Sequence, residues 1–272
     1  MFFVTLCDKE SKHKTKFLSE TLKGDLIVLD TYDKSIGNFS KLFKFADFLR
    51  CAESSDISQD DIICFVDAFD MLCIKYDPVS IEAAFRDYGH DILIGSEENC
   101  GPEHPSFVKE FFNPGPYLNG GFQIGYKKSF IKLHDYIREN FETLKANLEI
   151  DRTTEQGIIS QVYIKNIFNI GLDTESKLVN NWGPDRAFRN LDSFFIHVVR
   201  ADSGIENFDL KSPEVQNHFL NYVRGQVKYD KYIDMFLRVD SFIEQSRRYK
   251  ELVQKYSTTS SQTDTHTNNV SC

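Results

Sequence analysis

The stretch Ile62-Ile63-Cys64-Phe65-Val66-Asp67-Ala68-Phe69-Asp70 brings an unbroken apolar run to an abrupt acidic end. A short run without polar residues predicts a strand covered on both faces, as in a parallel sheet with helices on either side. Two carboxylates at its end would repel each other unless a cation lay between them, and hard Mn²⁺ or Mg²⁺ suits such oxygen ligands. In open α/β sheets ligands gather outside the carboxyl ends of the strands, which is where Asp67 and Asp70 would fall. The plainer reading has Asp67 capping the next turn and Asp70 solvated.

Outward from this strand, Phe2–Leu6, Leu26–Leu29 and Ile92–Gly95 have the same short apolar character, and helices fit between them. Phe39, Leu42, Phe43, Ala46 and Leu49 share one helical face after a candidate cap at Asn38. Asp77-Pro78 opens another helix, with an acidic cap and a proline in the first turn. Strand, helix, strand in this rhythm predicts a parallel α/β sheet. Asn99–Gly125 carries many of the Gly and Pro residues and predicts a long ordered loop followed by a short strand. Helices over about 127–147 and 154–167 precede an apolar strand at 194–199. The core is assigned to residues 1–200, a mainly helical, highly charged extension packed on it to 201–256, and a Ser/Thr/Asn-rich disordered tail to 257–272.

Composition sets bounds on function. The 272 residues are 41% hydrophobic and 14% aromatic, enough for a large buried core. The net charge of −9 opposes a broad nucleic-acid-binding face, and it means that a phosphate-bearing ligand needs a cation or a local basic pocket. The apolar start Met1–Leu6 is too short for a secretory leader and meets charge at Asp8. No apolar run approaches the roughly 20 residues of a membrane helix, so the expected location is the cytoplasm. The six cysteines form no C-x-x-C pair or zinc spacing and are expected to be reduced. P-loop, dinucleotide-fold, serine-hydrolase and zincin motifs are missing.

Four further stretches carry chemistry. Asn119-Gly120-Gly121 lies between apolar segments, where paired glycines allow close backbone approach to a ligand and Asn can bind sugar hydroxyls; a type I′ hairpin turn is the alternative. Glu155 and Gln156 follow Asp151-Arg152-Thr153-Thr154 at a helix start. They are either capping groups or a carboxylate and an amide that orient an acceptor hydroxyl and take its proton. His197 sits inside the apolar run Phe194–Val199, as a core histidine or as the third member of a metal set with the two aspartates. Arg200 is either a surface arginine or a diphosphate partner, and Trp182 either a core residue or a platform for an acceptor sugar.

The order D-A-F-D (67–70), S-E-E-N-C-G-P (96–102), Y-L-N-G-G-F-Q-I-G-Y (117–126), T-T-E-Q-G-I-I-S-Q-V-Y-I (153–164), L-D-T-E-S-K-L-V-N-N-W (172–182) and I-H-V-V-R (196–200) resembles the glycosyltransferase domain of the procollagen lysyl hydroxylase and collagen glycosyltransferase family. The resemblance spans roughly residues 1–200. It implies a GT-A fold, a Rossmann-like mixed sheet flanked by helices, with a helical C-terminal segment beyond it. The implied activity is Mn²⁺-dependent transfer of a hexose, glucose before galactose, from a UDP-sugar. The implied acceptor is hydroxylysine or galactosylhydroxylysine of a collagen-like polypeptide, or a small glycoside.

On this resemblance Asp67, Asp70 and His197 are the metal set, and Phe69 stacks on uracil. Asn119, Gly120 and Gly121 form the donor-sugar turn. Asp151, Glu155 and Gln156 are the acceptor and catalytic groups. The chain departs from the family where the acidic stretch thins to Asp151 and Glu155, and where Val198-Val199-Arg200 replaces a glycine-rich segment. A free-standing cytosolic enzyme is the expected form, with the charged C-terminal helices available for a homodimer. The rival readings are a catalytically weak UDP-sugar-binding or scaffold module and a phosphatase-like hydrolase. In the latter the aspartate pair is ordinarily separated by one residue, whereas two lie between Asp67 and Asp70.

Overall fold

The computed structural model describes residues 1–51, 55–98, 106–112, 115–148, 154–182, 190 and 192–198. Among them, the strands are β1 (Phe2–Leu6), β2 (Leu26–Leu29), β3 (Ile62–Val66), β4 (Met71–Cys73), β5 (Ile92–Glu97), β6 (Tyr117–Tyr126), β7 (Ile170–Asp173), β8 (Val179–Trp182) and β9 (Phe195–Val198). The helices are α1 (Lys16–Thr21), α2 (Phe39–Arg50), α3 (Pro78–Asp87), α4 (Ser106–Phe112), α5 (Lys127–Glu139), α6 (Phe141–Ala146) and α7 (Glu155–Ile164). The extension, the tail, Asp151 and Arg200 lie outside the described residues. No helix among those described is long and apolar enough to cross a membrane. Cys7, Cys51, Cys64 and Cys73 are free thiols.

A six-stranded sheet has the order β2-β1-β3-β6-β5-β7, and a three-stranded sheet the order β4-β9-β8. β2, β1 and β3 are parallel, as are β5 and β7, but β6 runs antiparallel between β3 and β5. The sheet is therefore mixed and flanked by helices, where strand rhythm alone predicted an all-parallel one. The antiparallel member comes from the stretch expected to be mostly loop: its described parts are α4 and the ten-residue β6. Of its glycines, Gly125 is paired on both sides, with Ile63 and Ile92, and the strand runs on through Gly120 and Gly121 to Asn119, which pairs with Gly95.

Alternation along β3 sorts the core. Ile63 and Phe65 face α2, α5 and α7, where Phe45 packs on Phe65 and Phe130 with centroids 4.8 and 5.4 Å apart. Ile62, Cys64 and Val66 face the other side, which holds Phe3, Phe85, Phe122 and Phe195. All five residues of β3 are buried, as its unbroken apolar run requires. Asp77 opens α3 by accepting the Ser80 N–H at 3.2 Å. Asn38 does not cap α2; it is itself helical, and its Oδ1 accepts the Tyr32 hydroxyl at 3.1 Å. The single helix expected over about 127–147 is two, α5 and α6, meeting at Asn140.

On α5, His134 is buried against Phe45 and Phe130 with neither ring nitrogen hydrogen-bonded. Burial, helped by Arg50 and Arg138, pulls its pKa down to about 3 from 6.5. The native ring stays neutral while the unfolded chain takes up a proton below about pH 6.5, so its contribution is intact above that pH and lost as the pH falls toward 3. Denaturant unfolding at pH 6.5 and pH 5 should show the wild type losing about 2 kcal/mol more than His134→Leu.

Candidate functional site

The topology gathers the site at one edge of the main sheet. β3, β5 and β7 end there, β6 begins there, and a helix that leads into a parallel strand starts at that same edge. This places Asp67 after β3, Glu97 at the end of β5, Asn119-Gly120-Gly121 in β6, Lys41 in the first turn of α2 and Glu155 in the first turn of α7. The order of the strands reverses between β1 and β3, which is where ligand crevices open in such sheets.

The second sheet adds a histidine. The chain bends through Ala68, Phe69 and Asp70 directly into β4, and β4 pairs with β9 so that Met71 faces His197. Phe69 is half-buried in this bend. His197 Nε2 lies 3.3 Å from Asp70 Oδ2 and 4.0 Å from Asp67 Oδ2. Ligand atoms of Asp67, Asp70 and His197 all fall within 4.8 Å of one another. Ligands about 2.1 Å from one cation span up to roughly 4.2 Å, so small side-chain rotations would close the set. The two carboxylates suit Mn²⁺ or Mg²⁺, and an imidazole nitrogen beside them favours the transition ion, Mn²⁺, of the two.

Charge is organised around Lys41. Its ammonium lies 2.6 Å from Asp67 Oδ1 and 3.0 Å from Glu155 Oε1. Burial works against the lysine's charge, but Asp67 and then Glu155 more than offset it and hold its pKa above the ordinary range. Burial would likewise raise Asp67, yet Lys41 and His197 hold it below the usual carboxylate value. Glu155 shares Lys41, has no second cation beside it among the described residues and faces the charge of Asp67, so burial prevails and its pKa rises. Burial opposes the charged form of His197, while Asp70, then Asp67 and Glu97, raise its pKa. Asp67 is thus an ion-pair partner and not the cap of the following turn.

Asn119-Gly120-Gly121 forms a bulge inside β6, not a hairpin turn. Ile94 pairs with Gln123 but its neighbour Gly95 pairs with Asn119, so Gly120, Gly121 and Phe122 are extra on the β5 side. The bulge is braced from several directions. Asn119 Oδ1 accepts the Gly121 N–H at 3.0 Å, and its Nδ2 donates to Glu97 Oε1 at 3.0 Å. Gln156 Oε1 accepts the Gly120 N–H at 2.9 Å, and Gln156 Nε2 donates to Glu97 at 3.1 Å. Thr154 makes no side-chain cap, and Thr153, the other capping candidate, lies outside the described residues.

Neighbours crowd Gly120 and leave no room for a side chain at Gly121. A Cβ on Gly120 would sit 3.3 Å from Glu155 Oε1, and one on Gly121 would sit 2.3 Å from His197 Cε1. The imidazole cannot swing clear, because Asn181 Oδ1 holds its Nδ1 at 2.7 Å and Asp70 faces Nε2. Gly121→Ala should therefore displace His197, lowering stability by about 1–3 kcal/mol in thermal unfolding and weakening Mn²⁺ binding in calorimetry.

No protein-family model matches the chain, and no curated protein does. Solved structures are similar to it. The galactosyltransferase LgtC, in complex with donor and acceptor sugar analogs, is 11% identical over 86% of this chain and 95% of that one, with a TM-score of 0.49. An active-site mutant of LgtC is 13% identical over 73% and 87%, with a TM-score of 0.47. A glycosyltransferase involved in the glycosylation of the major capsid of PBCV-1 is 12% identical over 74% and 96%, with a TM-score of 0.46. Folds host unrelated chemistries, so function has to come from the site itself.

Lys41, Glu97 and Asn181 are the site residues that the linear reading did not assign. Lys41 lies off the apolar stripe of its helix, so periodicity assigns it no buried place. Glu97 could have been found by the rule applied to Asp67, since it too ends a buried strand. Asn181 carries no local signal; its place comes from pairing of β8 with β9, which sets Asn181 opposite His197. Trp182 ends β8 beside it.

Proposed function

We propose that this chain is a Mn²⁺-dependent glycosyltransferase, with Mg²⁺ as an alternative ion, that moves a hexose from a UDP-sugar to hydroxylysine or galactosylhydroxylysine of a collagen-like polypeptide. Glucose is the favoured sugar and galactose the next. The observation that carries this reading is the meeting of Asp67, Asp70 and His197 at the carboxyl edge of a mixed α/β sheet. It supplies a cation site to a chain whose charge of −9 would otherwise repel a diphosphate. The order of motifs shared with the collagen glycosyltransferases supports the choice of donor and acceptor.

A divalent ion held by the carboxylates of Asp67 and Asp70 and by His197 Nε2 would supply Lewis-acid neutralisation of charge on the departing diphosphate. The remaining work falls to the chain. Lys41 keeps Asp67 ionised and aimed. Phe69, between the two aspartates, offers a ring face to uracil. The bulge at Gly120 and Gly121 keeps backbone, not side chains, against the donor sugar. Glu155, anchored by Lys41, accepts the hydrogen bond of the acceptor hydroxyl, and its raised pKa suits it to take that proton. Gln156 and Glu97 hold the bulge in place. Asp151 and Arg200 are assigned to acceptor and diphosphate, and Trp182 to an acceptor sugar.

Calorimetry with UDP, with and without Mn²⁺, followed by turnover of UDP-glucose and UDP-galactose on a galactosylhydroxylysine or hydroxylysine acceptor, tests this directly. Metal-dependent UDP binding with turnover is expected. Metal-dependent binding without turnover of any donor would make the chain a sugar-nucleotide-binding module, and no UDP binding would end both readings.

A further inference from the structure

We propose that Asn181 is a positioning residue that sets the tautomer of His197, so that the Nε2 lone pair points at the two aspartates; the inference rests on the metal-site reading above. The argument begins at a carbonyl. Ser96 O can only accept, so the Asn181 group 2.9 Å from it must be the Nδ2 amide. That leaves Asn181 Oδ1 facing His197 Nδ1 at 2.7 Å. An amide oxygen cannot donate, so Nδ1 carries the hydrogen. When the imidazole is neutral, Nε2 is then bare and is the nitrogen turned toward Asp70 and Asp67.

The amide is locked in this orientation. Asn181 and His197 are both buried and sit at paired positions of β8 and β9. A Cβ on Gly95 would lie 3.1 Å from Asn181 Nδ2, so the amide packs closely against β5. Ser96 is itself tied down, its hydroxyl donating to Asp173 O at 2.8 Å. A line of hydrogen bonds thus runs from the end of β7 through β5 and β8 to the imidazole. Partners that orient a histidine in this way change metal affinity by about 10–100-fold when removed.

The two hydrogen bonds of Asn181 have opposite polarity, which allows them to be separated. Asn181→Leu keeps the approximate shape and loses both. Asn181→Asp keeps an acceptor for His197 Nδ1 but has no donor for Ser96 O. The full chain, labelled with [¹⁵N]histidine and free of metal, would be examined by long-range ¹H–¹⁵N correlation at a pH where the ring is neutral. Mn²⁺ affinity would be measured by calorimetry. The Nδ1–H tautomer is expected in the wild type and in Asn181→Asp, and should be lost in Asn181→Leu. Mn²⁺ affinity should fall about 10–100-fold in Asn181→Leu and stay within a few-fold of wild type in Asn181→Asp. An unchanged tautomer in Asn181→Leu, or an aspartate variant as impaired as the leucine one, would overturn the assignment. Wild-type protein that binds no Mn²⁺ would overturn the metal site instead, while the tautomer spectra still decide the role of Asn181.

Discussion

Asp70→Ala is expected to lower donor turnover by about 10³-fold or more, equivalent to about 4 kcal/mol of transition-state stabilisation. It should also remove the dependence of UDP binding on Mn²⁺. Asp70 opens the approach to β4, a step from the position that pairs with His197, and its carboxylate lies 3.3 Å from Nε2. Without it the cation would keep one carboxylate and one imidazole, and Asp67 is already shared with Lys41. Asp70→Asn should behave alike, because the shape is kept and the charge is not. Circular dichroism checks that both variants fold, and calorimetry with UDP and Mn²⁺ reads the loss. Metal dependence that survives in Asp70→Ala would show that this carboxylate is not a ligand.

Lys41→Met is expected to give the largest loss of stability, about 3–5 kcal/mol, because it strands buried carboxylates without their counter-charge. The side chains of Lys41 and Glu155 are 16% and 5% exposed, so this is not a screened surface pair. Asp67 would retain His197, whereas Glu155 would keep no ion-pair partner among the described residues. Denaturant unfolding of metal-free protein at pH 7.5 measures the effect. Added Mn²⁺ should restore part of it by serving Asp67, and Glu155→Gln in the Lys41→Met background should restore more. A loss below about 1 kcal/mol would mean that the ammonium and the carboxylates are hydrated after all.

The contrast between Asp67 and Asn119 shows which features of the site could be read along the chain. Asp67 was legible because its strand has a local signature: five buried residues in β3 leave no polar position, so the first carboxylate has to lie at the strand's end. The hairpin alternative for Asn119-Gly120-Gly121 does not hold, because the segment is a bulge within β6. Asn-Gly is the strongest short-range sign of a hairpin, yet here the strand runs on past it: Asn119 pairs with Gly95, Gln123 with Ile94, and the Gly121 carbonyl accepts the Asp67 N–H, so the surplus residues form a bulge. At the start of α7 the capping alternative rested on Thr153 or Thr154; Thr154 makes no side-chain cap, Thr153 lies outside the described residues, and the carboxylate of Glu155 is held by Lys41.

Strand positions, the acidic end of β3 and the residue types available for catalysis follow from hydrophobic run length, periodicity and charge repulsion, all properties of neighbours in the chain. Which of those residues meet does not. His197 is 127 positions from Asp70 and reaches it only because β9 crosses β4 in one register; a shift by one residue would turn the imidazole to the other face. Lys41, Glu97 and Asn181 join the site for the same reason, since strand order and helix direction bring distant segments to a common edge, and pairing of that kind leaves no mark in local composition.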